Sequence, residues 1–529
     1  MAQKDSSKLL EETFQIKSIL GGFSDNQYDG VNSDTYYNSV GIDPDFAVMN
    51  SNKTSGAIMP ISYQKFSSAI TGYAKWLATN PKEQNLYAYC SDGKVFSYDL
   101  NLANETLIGT PTSGAGNGMA YYNNYLYFTT PTDVARYGPL NGSPTLTQNF
   151  WVTTLAKTAL VNTTYPSLNG DVMPNHPMHV HGDNFLYFGD FADGQGLIHK
   201  IRTKKVTNEG DKDDFSAYGA FVLPFGFMPT AIESYDTDLI VTAIQTNSAL
   251  VNQGRSAIFL INPLQATFYR GPVYLPDPIA SAMMSNNGST YVFSGNAVAG
   301  GGMRVTKYDG GNLFTQEVYL EEGMPPFAGA VSALGNRICW GGFTLNPQPS
   351  ASVFSFGYKK QATTTKALHN IVNTTSVGAN PKVTALLQSQ QSNNNTNRFV
   401  VAWKDDSTRG IDKLADTTPV YNCVFTSDFF EIGTGFFIKK IRIPFATTLA
   451  AGMTVTPVIY LDDASSSITL NTINSSNYSG RKVLYKQPEL INCQGINNFQ
   501  LELNFTGTVQ APVIFPIEIV IERLFDESN

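Results

Sequence analysis

Three histidines lie close together in the segment Asn175-His-Pro-Met-His-Val-His181. His179 and His181 alternate along a strand pattern, so their side chains should project from one face. Two imidazoles on one face could begin a metal site, but no third ligand is evident, although His176 is near in sequence. Histidines at a sheet edge more often hydrogen-bond backbone groups. We therefore predict hydrogen-bonding histidines, with no bound metal and no other cofactor.

The acidic residues give no recognisable acid–base pair. Asp92, Asp193 and Asp309 each precede a glycine, a dipeptide typical of turns. Catalysis by two carboxylates needs a defined separation, which is a property of the folded chain. The S-x-D-x-G-x-T-W box of sialidase propellers does not occur. We assign no catalytic residue and predict that the chain is not an enzyme.

Two loops resemble ligand-binding loops but are better explained as turns. Asp211, Asp213 and Asp214 could surround a calcium ion, but the bidentate Glu of a defined calcium loop is missing. The run Gly114-Ala-Gly-Asn-Gly118 opens into a strand pattern, whereas a phosphate loop needs a helix N-terminus next. We predict a solvated acidic loop and a turn.

A strand unit that recurs through the middle of the chain must position these residues. Residues 124–130 and 184–190 each start with Asn, continue as an alternating apolar and aromatic run, and lead to a second strand. Further copies begin at Asn85, Asp238, Thr290, Asn336 and Arg398. The spacing of roughly 40 to 60 residues is typical of four-stranded propeller blades. We predict a six- or seven-bladed β-propeller over residues 69–433, with inserts at 153–177 and 246–254 as loops on one rim.

Composition supports an all-β chain and excludes some partners. Charged residues make up only 15% of the chain, while turn and strand formers are abundant. The net charge of -8 argues against nucleic acid, which requires clustered Lys and Arg. The densest basic group, Lys200, Arg202, Lys204 and Lys205, is followed by acidic residues 211–214, so we interpret it as a solvated strand edge.

Cysteine usage and hydropathy predict synthesis in a cytosol. Cys90, Cys339, Cys423 and Cys493 are far apart and form no metal-binding spacing, so buried free thiols are expected. We find no signal peptide in the first residues and no apolar run long enough to span a bilayer, so we predict no membrane insertion.

The two ends of the chain have different patterns. Residues 5–17 could form a short helix, and residues 1–68 as a whole predict an arm that orders on a neighbouring subunit. Within it, residues 46–49 or 57–61 could add the strand that closes the ring. Residues 434–529 alternate apolar with polar side chains in four runs, which predicts a β-sandwich with turns at Asp462-Asp463 and Ser479-Gly480.

The amino-terminal segment resembles a phage family. The order Gly21-Gly22-Phe23-Ser24-Asp25, Tyr28, Gly30, Tyr36-Tyr37-Asn38 and Gly41-Ile42-Asp43 is similar to the start of predicted structural proteins from tailed bacteriophages and prophages. The resemblance covers about the first 60 residues and transfers no catalytic residue. It implies a virion protein of the tail or its attachment region, made in the host cytoplasm, that contacts other virion proteins and copies of itself.

The alternative function is a propeller that binds or cleaves glycans on the host surface. Rim tyrosines such as Tyr165 or Tyr235 could stack on sugars if they are exposed, although most aromatic residues should fill the interfaces between blades. A cleft lined by two or more carboxylates and exposed aromatic rings would favour this alternative.

Overall fold

A computed structural model describes residues 10–19, 21–23, 35–43, 57–66, 69–79, 85–99, 104–111, 114–168, 171–174, 176–202, 221–246, 255–263, 267–296, 301–310, 314–320, 323–344, 350–358, 366–390, 397–415, 419–432, 436–486, 491–493 and 496–523. Helix in these residues is limited to a π-helical turn, Phe150–Thr154, and one α-helical turn, Ser475–Tyr478. All other regular elements described are strands, so the all-β prediction is confirmed.

Six short strands form the amino-terminal segment. They are β1 (Leu10–Ile16), β2 (Gly22–Phe23), β3 (Thr35–Tyr36), β4 (Asn38–Val40), β5 (Ala57–Ile58) and β6 (Tyr63–Lys65). Strands β2 and β3 pair with each other in parallel, and the other four pair with strands that come much later in the chain. The segment is therefore part of both later sheet systems.

Seven four-stranded antiparallel sheets follow within the described ranges. The first sheet comprises β7 (Ala74–Thr79), β8 (Leu86–Cys90), β9 (Val95–Tyr98) and β10 (Thr106–Gly109), and the second comprises β11 (Met119–Tyr122), β12 (Tyr125–Thr129), β13 (Val134–Gly138) and β14 (Thr145–Thr147). A two-stranded insert of β15 (Thr164–Leu168) and β16 (Asp171–Pro174) follows. The third sheet comprises β17 (Met178–Val180), β18 (Leu186–Ala192), β19 (Gln195–Ile201) and β20 (Phe221–Phe225).

The remaining four sheets have the same meander order. They comprise β21 (Phe227–Tyr235), β22 (Asp238–Gln245), β23 (Ser256–Asn262) and β24 (Thr267–Tyr274); β25 (Ile279–Asn286), β26 (Ser289–Gly295), β27 (Met303–Tyr308) and β28 (Phe314–Leu320); β29 (Val331–Leu334), β30 (Arg337–Thr344), β31 (Ser350–Tyr358) and β32 (Lys366–Asn373); and β33 (Lys382–Gln390), β34 (Asn397–Lys404) and β35 (Arg409–Leu414), completed by β6.

The seven sheets close into a ring. One buried apolar cluster lies between each pair of neighbouring sheets, and a further cluster joins the first sheet to the last, with Phe96 and Ala74 packed among Val400 and Ile411. This arrangement is that of a β-propeller. Each repeat identified in the sequence is the second strand of one sheet, and the Asn residues that open two of them, Asn124 and Asn184, have positive φ in the preceding turns.

Two sheets form the carboxy-terminal part. Their strands are β36 (Cys423–Thr426), β37 (Phe430–Glu431), β38 (Phe436–Pro444), β39 (Thr454–Leu461), β40 (Ser466–Thr469), β41 (Ile473–Asn474), β42 (Val483–Lys486), β43 (Ile491–Cys493), β44 (Asn498–Phe505), β45 (Val513–Ile514) and β46 (Ile517–Arg523), with the helical turn α1 (Ser475–Tyr478) after β41. One sheet has the order β1-β46-β38-β42, and the other β4-β36-β44-β39-β40. Both contribute to a single buried core. Asp462, Asp463 and Gly480 occupy the two predicted turns with positive φ.

The amino-terminal segment departs from expectation in three ways. The predicted helix at residues 5–17 is wrong for the described part, because Leu10–Ile16 is strand β1, paired with β46 along its whole length. The strand that completes the last ring sheet is β6, whereas Ala57–Ile58 pairs with β45; residues 46–49 lie outside the described ranges. The segment was expected on a neighbouring subunit, but its described strands pair within the chain. The boundaries at residues 68 and 433 stay predictions.

Burial explains why residues 10–16 form a strand. Phe14 and Ile16 are buried in the carboxy-terminal core, while Glu11 and Thr13 are exposed, so the buried positions recur every second residue. In a segment this short, the apolar residues can fit both the helical period of 3.6 and the strand period of two. Here the unpaired edge of β46 decides the outcome, because a strand supplies hydrogen bonds that a helix would not.

Candidate functional site

The three clustered histidines lie in and beside β17, the first strand of the third ring sheet. The two ring nitrogens of His176 face the backbone carbonyl oxygens of Gly189 and Pro131, each at 3.0 Å. His181 Nε2 faces the carbonyl oxygen of Thr237 at 3.2 Å. The prediction that these histidines hydrogen-bond backbone groups is confirmed for His176 and His181. In the described ranges, no group of three or more His, Cys, Asp or Glu is placed to hold a metal ion.

His179 and His181 converge on one serine of the fourth sheet. His179 Nε2 lies 2.6 Å from Ser234 Oγ, and His181 Nδ1 lies 2.8 Å from the same oxygen. Ser234 is in β21, so this bridge joins the third sheet to the fourth. The sequence predicted that the two imidazoles share a face, and the structure adds the hydroxyl between them.

The proton positions in this bridge follow from its outer partner. The carbonyl oxygen of Thr237 can only accept, so His181 carries a proton on Nε2; when the ring is neutral, its Nδ1 accepts from the Ser234 hydroxyl. The single hydroxyl proton is then used, so His179 donates to Ser234 Oγ from Nε2. Both rings are neutral in this arrangement, and all the named contacts have one donor and one acceptor.

The bridge continues into the fifth sheet. The backbone carbonyl oxygen of Ser234 accepts hydrogen bonds from the hydroxyls of Ser285 and Thr290, both in that sheet. Nothing in the sequence around Ser234 or Ser285 indicates that these serines face polar groups of a neighbouring sheet. The sequence analysis therefore did not identify Ser234. Polar contacts thus link three consecutive sheets at one place on the ring.

The geometry does not favour a serine nucleophile. A hydrolase triad needs an acidic group on the ring nitrogen remote from the serine. Glu233 Oε1 lies 3.4 Å from His179 Nε2, the same nitrogen that contacts Ser234. The backbone N–H of Ser234, which could help to bind an oxyanion, donates to Glu233 Oε1 at 2.9 Å. The cluster is suited to holding sheets together.

The glycine-preceding aspartates lie at strand connections, as predicted. Asp92 and Asp193 are in turns, and Asp309 follows β27 and pairs with Lys307 at 2.7 Å. The Gly114-to-Gly118 run was predicted as a turn, but it is an irregular segment before β11, with bends at Gly114 and Asn117 and with backbone hydrogen bonds from Gly116 to Thr129 and from Thr129 to Gly118. Residues 211–214, Lys204 and Lys205 lie outside the described ranges. Cys90, Cys339 and Cys423 are buried free thiols, as expected, while the Cys493 side chain lies outside the described residues.

The carboxyl group of Asp412 in β35 is fully buried. It accepts hydrogen bonds from Trp403 Nε1 at 2.7 Å, Thr375 N at 2.6 Å and Thr375 Oγ1 at 2.7 Å. Because Thr375 lies between β32 and β33, these bonds tie the connection between the sixth and seventh sheets to β35, the third strand of the seventh. Burial raises the pKa of Asp412 to about 6, although the three hydrogen bonds act in the opposite direction.

This raised pKa predicts how Asp412 affects stability with pH. Its unfolded pKa is about 3.9, so its contribution is fully present below pH 3.9 and is lost as the pH rises through about 6. We expect the free energy of unfolding of wild type, relative to that of Asp412→Asn, to rise by about 2 kcal/mol between pH 7.5 and pH 4, since the unfolded carboxyl is itself about half protonated at pH 4. Denaturant unfolding of both proteins at the two pH values measures this difference. A pH-independent difference would contradict the assignment.

A buried polar cluster joins the amino-terminal segment to the sixth ring sheet. The Tyr36 hydroxyl lies 2.6 Å from His369 Nδ1 and accepts from Ser39 Oγ at 3.1 Å. The Tyr36 ring packs against Phe23 and, in the carboxy-terminal sheets, against Phe425. Burial raises the pKa of Tyr36, which keeps the phenol protonated as a donor for His369. Tyr36 therefore fixes how the ring meets the carboxy-terminal sheets.

Large exposed apolar side chains gather on the outer strands of two neighbouring sheets. Val222 and Phe225 in β20 are 45% and 75% exposed, and Tyr274 in β24 is 49% exposed. β20 and β24 contact each other. We call these three residues the outer patch. By contrast, Tyr235 packs edge-on against Tyr308 at 4.9 Å, and the Tyr165 side chain lies outside the described residues.

Comparisons with known proteins give a propeller likeness at low identity. No protein-family model matches the chain, and no curated protein matches it. The β-propeller domain of Myceliophteria thermophila Cps50 (Swd1) is similar at 12% identity and a TM-score of 0.39, over 67% of this chain and 100% of that one. The Neurospora crassa Pan2 WD40 domain is similar at 9% identity and a TM-score of 0.38, over 68% and 97%. Such identities transfer no function.

Proposed function

We propose that the chain is a non-enzymatic structural protein of a tailed-phage particle, part of the tail or its attachment region, that acts through protein–protein contacts. In this proposal the seven ring sheets are the blades of a seven-bladed propeller, and the two carboxy-terminal sheets form a β-sandwich. The phage context rests on the amino-terminal resemblance. The mode of action rests on the outer patch.

The outer patch supports binding of another protein. Three large apolar side chains on adjoining outer strands expose surface that water solvates poorly, and such surfaces commonly mark interaction sites. Aromatic residues such as Phe225 and Tyr274 are favoured anchors in protein interfaces, because they bury a large area at a low cost in side-chain entropy. The occupant we propose is a neighbouring subunit of the particle.

The buried polar clusters are a second observation in favour of a scaffold function. Ser234 and Tyr36 direct their polar atoms at partners in other sheets. Asp412 accepts from Trp403 in its own sheet and from Thr375 in the connection between the sixth and seventh sheets. Catalytic groups need an open position for a reacting atom. Groups that join sheets hold the ring in one shape, which suits a protein that must present fixed surfaces to its neighbours.

Phe225→Asp tests this function in particles. We expect wild type to be present at a fixed, small copy number relative to the major capsid protein. Phe225→Asp should reduce this copy number by about tenfold or more, because the carboxylate would lose its water when the neighbouring subunit covers this position. Val377→Asp is the matched control, since Val377 is 98% exposed and lies outside the outer patch. Quantitative mass spectrometry of purified particles measures all three.

Two results would contradict the proposal. Absence of the wild-type chain from particles would remove the virion function and favour the glycan-directed alternative, which a glycan-binding and sugar-release screen then tests. Equal incorporation of Phe225→Asp and Val377→Asp would remove the outer patch as the contact surface. Thermal unfolding of each purified variant shows that a lost contact is not a lost fold.

A further inference from the structure

The strand that completes the seventh ring sheet comes from a distant part of the chain. In the other six sheets the four strands follow one another in sequence, whereas β6 precedes all of them and pairs with β35. Only three residue pairs join these two strands, from Tyr63 opposite Leu414 to Lys65 opposite Asp412. A pairing this short, without a hairpin turn to hold it, is weak by itself. Contacts outside the sheet must therefore keep β6 at this edge.

Phe66, directly after β6, lies at the contact between the seventh and first sheets, which we call the seam. Its backbone N–H donates to the carbonyl oxygen of Ile411 in β35 at 3.0 Å. Its ring lies edge-on at 5.2 Å from the ring of Tyr98 in the first sheet, and it packs against the apolar cluster that joins these two sheets. We call residues 63–66 the latch, because they contact both sides of the seam.

The residues just before the latch are held by the carboxy-terminal sheets. Strand β5 pairs with β45, and Ile58 is buried in the carboxy-terminal core. Gln510 Nε2 donates to the carbonyl oxygen of Pro60 at 2.6 Å, and the Cys423 thiol donates to that of Ile61 at 3.1 Å. These bonds fix the start of the latch in space, which raises its effective concentration at the edge of β35.

Ser62 attaches the latch to the same part of the chain by a second route. Its hydroxyl donates to the carbonyl oxygen of Val420 at 2.8 Å and accepts from the N–H of Val420 at 3.0 Å. Val420 lies in the connection from β35 to β36, and the N–H of the next residue, Tyr421, donates to the carbonyl oxygen of Gly507. The latch and the connection that leaves the ring are therefore both tied to the carboxy-terminal sheets.

We propose that the carboxy-terminal sheets hold the ring closed through the latch, so that the seam is the place where the ring opens. While β45, Gln510 and Cys423 hold the residues before the latch, the latch stays on β35. When these contacts are lost, the latch separates from β35 and takes Phe66 out of the seam, while the other six sheet contacts persist.

The coupling between the two parts is reciprocal. A partner that stabilises the carboxy-terminal sheets around β45 also stabilises the seam, and opening of the seam weakens the binding of that partner by the same factor. The carboxy-terminal sheets are thus a control element of the ring as well as a second folded unit.

The experiment compares native-state amide exchange of the full chain in wild type, Gln510→Ala and Gln500→Ala. Gln510→Ala removes the bond to Pro60 from a position 450 residues away, so the intrinsic exchange rates of the latch are unchanged. Exchange at residues 63–66 and 411–414 should rise about three- to tenfold, because a hydrogen bond that holds the latch is lost. Gln500→Ala is the matched control, since Gln500 Nε2 in β44 donates to the carbonyl oxygen of Ser427 at 2.7 Å.

The outcomes are distinct. Faster exchange that is confined to the latch, its partner strand and seam residues 95–98 in Gln510→Ala, and is absent there in Gln500→Ala, supports the proposal. Unchanged exchange at the latch in Gln510→Ala overturns it, and so does an equal rise in both variants or a rise in all seven sheets. If Gln510→Ala does not fold, Gln510→Asn, whose side chain is one methylene group shorter, is compared in the same way.

Discussion

Replacing Phe14 by alanine is expected to destabilise the carboxy-terminal sheets by about 3–5 kcal/mol. Phe14 comes from the opposite end of the chain, yet its ring lies edge-on at 5.5 Å from the ring of Phe430 and at 6.0 Å from that of Phe499. These rings belong to the buried core that both carboxy-terminal sheets share. Alanine would leave a cavity between the sheets.

Thr13→Ala is the matched control for Phe14. Thr13 lies on the same strand, β1, and is exposed, so its replacement should change the free energy of unfolding by less than about 0.5 kcal/mol. Denaturant unfolding followed by near-ultraviolet circular dichroism measures both variants. If Phe14→Ala and Thr13→Ala unfold alike, strand β1 does not occupy the edge of β46. Deleting residues 1–60 should lower the free energy of unfolding of the carboxy-terminal sheets at least as much, because it removes β1 together with β4 and β5.

Tyr36→Ala is expected to cost about 3–5 kcal/mol and to loosen the contact between the ring and the carboxy-terminal sheets. The ring of Tyr36 is 5.7 Å from the ring of Phe425 and 5.2 Å from that of Phe23. Its hydroxyl is the donor that His369 Nδ1 faces, at 2.6 Å. The substitution therefore removes packing and a buried hydrogen bond at one point.

Two variants separate these contributions. Tyr36→Phe keeps the ring and removes the hydroxyl, so it should cost about 1–3 kcal/mol. Tyr37→Ala alters a neighbouring side chain that is 41% exposed, and it should cost less than about 1 kcal/mol. Denaturant unfolding and limited proteolysis between the ring and the carboxy-terminal sheets provide the measurements. Proteolysis that is equally slow in Tyr36→Ala and wild type would show that Tyr36 does not hold this junction.

Some features of the ring were predictable because their causes are local. The turn residues Asn124 and Asn184 accept positive φ, and the apolar runs that follow them are second strands in the structure. The strand β11 after the glycine run was predictable in the same way, because a strand pattern follows that run. The shared face of His179 and His181 follows from the period of two along a strand.

Other features depended on partners that are distant in sequence. Strand β1 was predicted as a helix, because a short segment with apolar residues at positions 9, 10 and 14 fits that period as well. Strand β6 completes the last ring sheet, although its sequence Tyr63-Gln-Lys65 has no distinctive pattern. Ser234 gave no signal, because a serine in a strand becomes a bridge only when two histidines of another sheet face it.

The sequence by itself therefore determined the class of fold, the repeat of four-stranded sheets and the turns between their strands, since these depend on side chains within a few residues of one another. Only the tertiary structure decided which strand closes the ring, where the amino-terminal segment packs and which polar groups meet. Those outcomes depend on edges and buried surfaces that exist only after the separate sheets have formed, and the free energy of pairing them exceeds the weak local preferences of the segments involved.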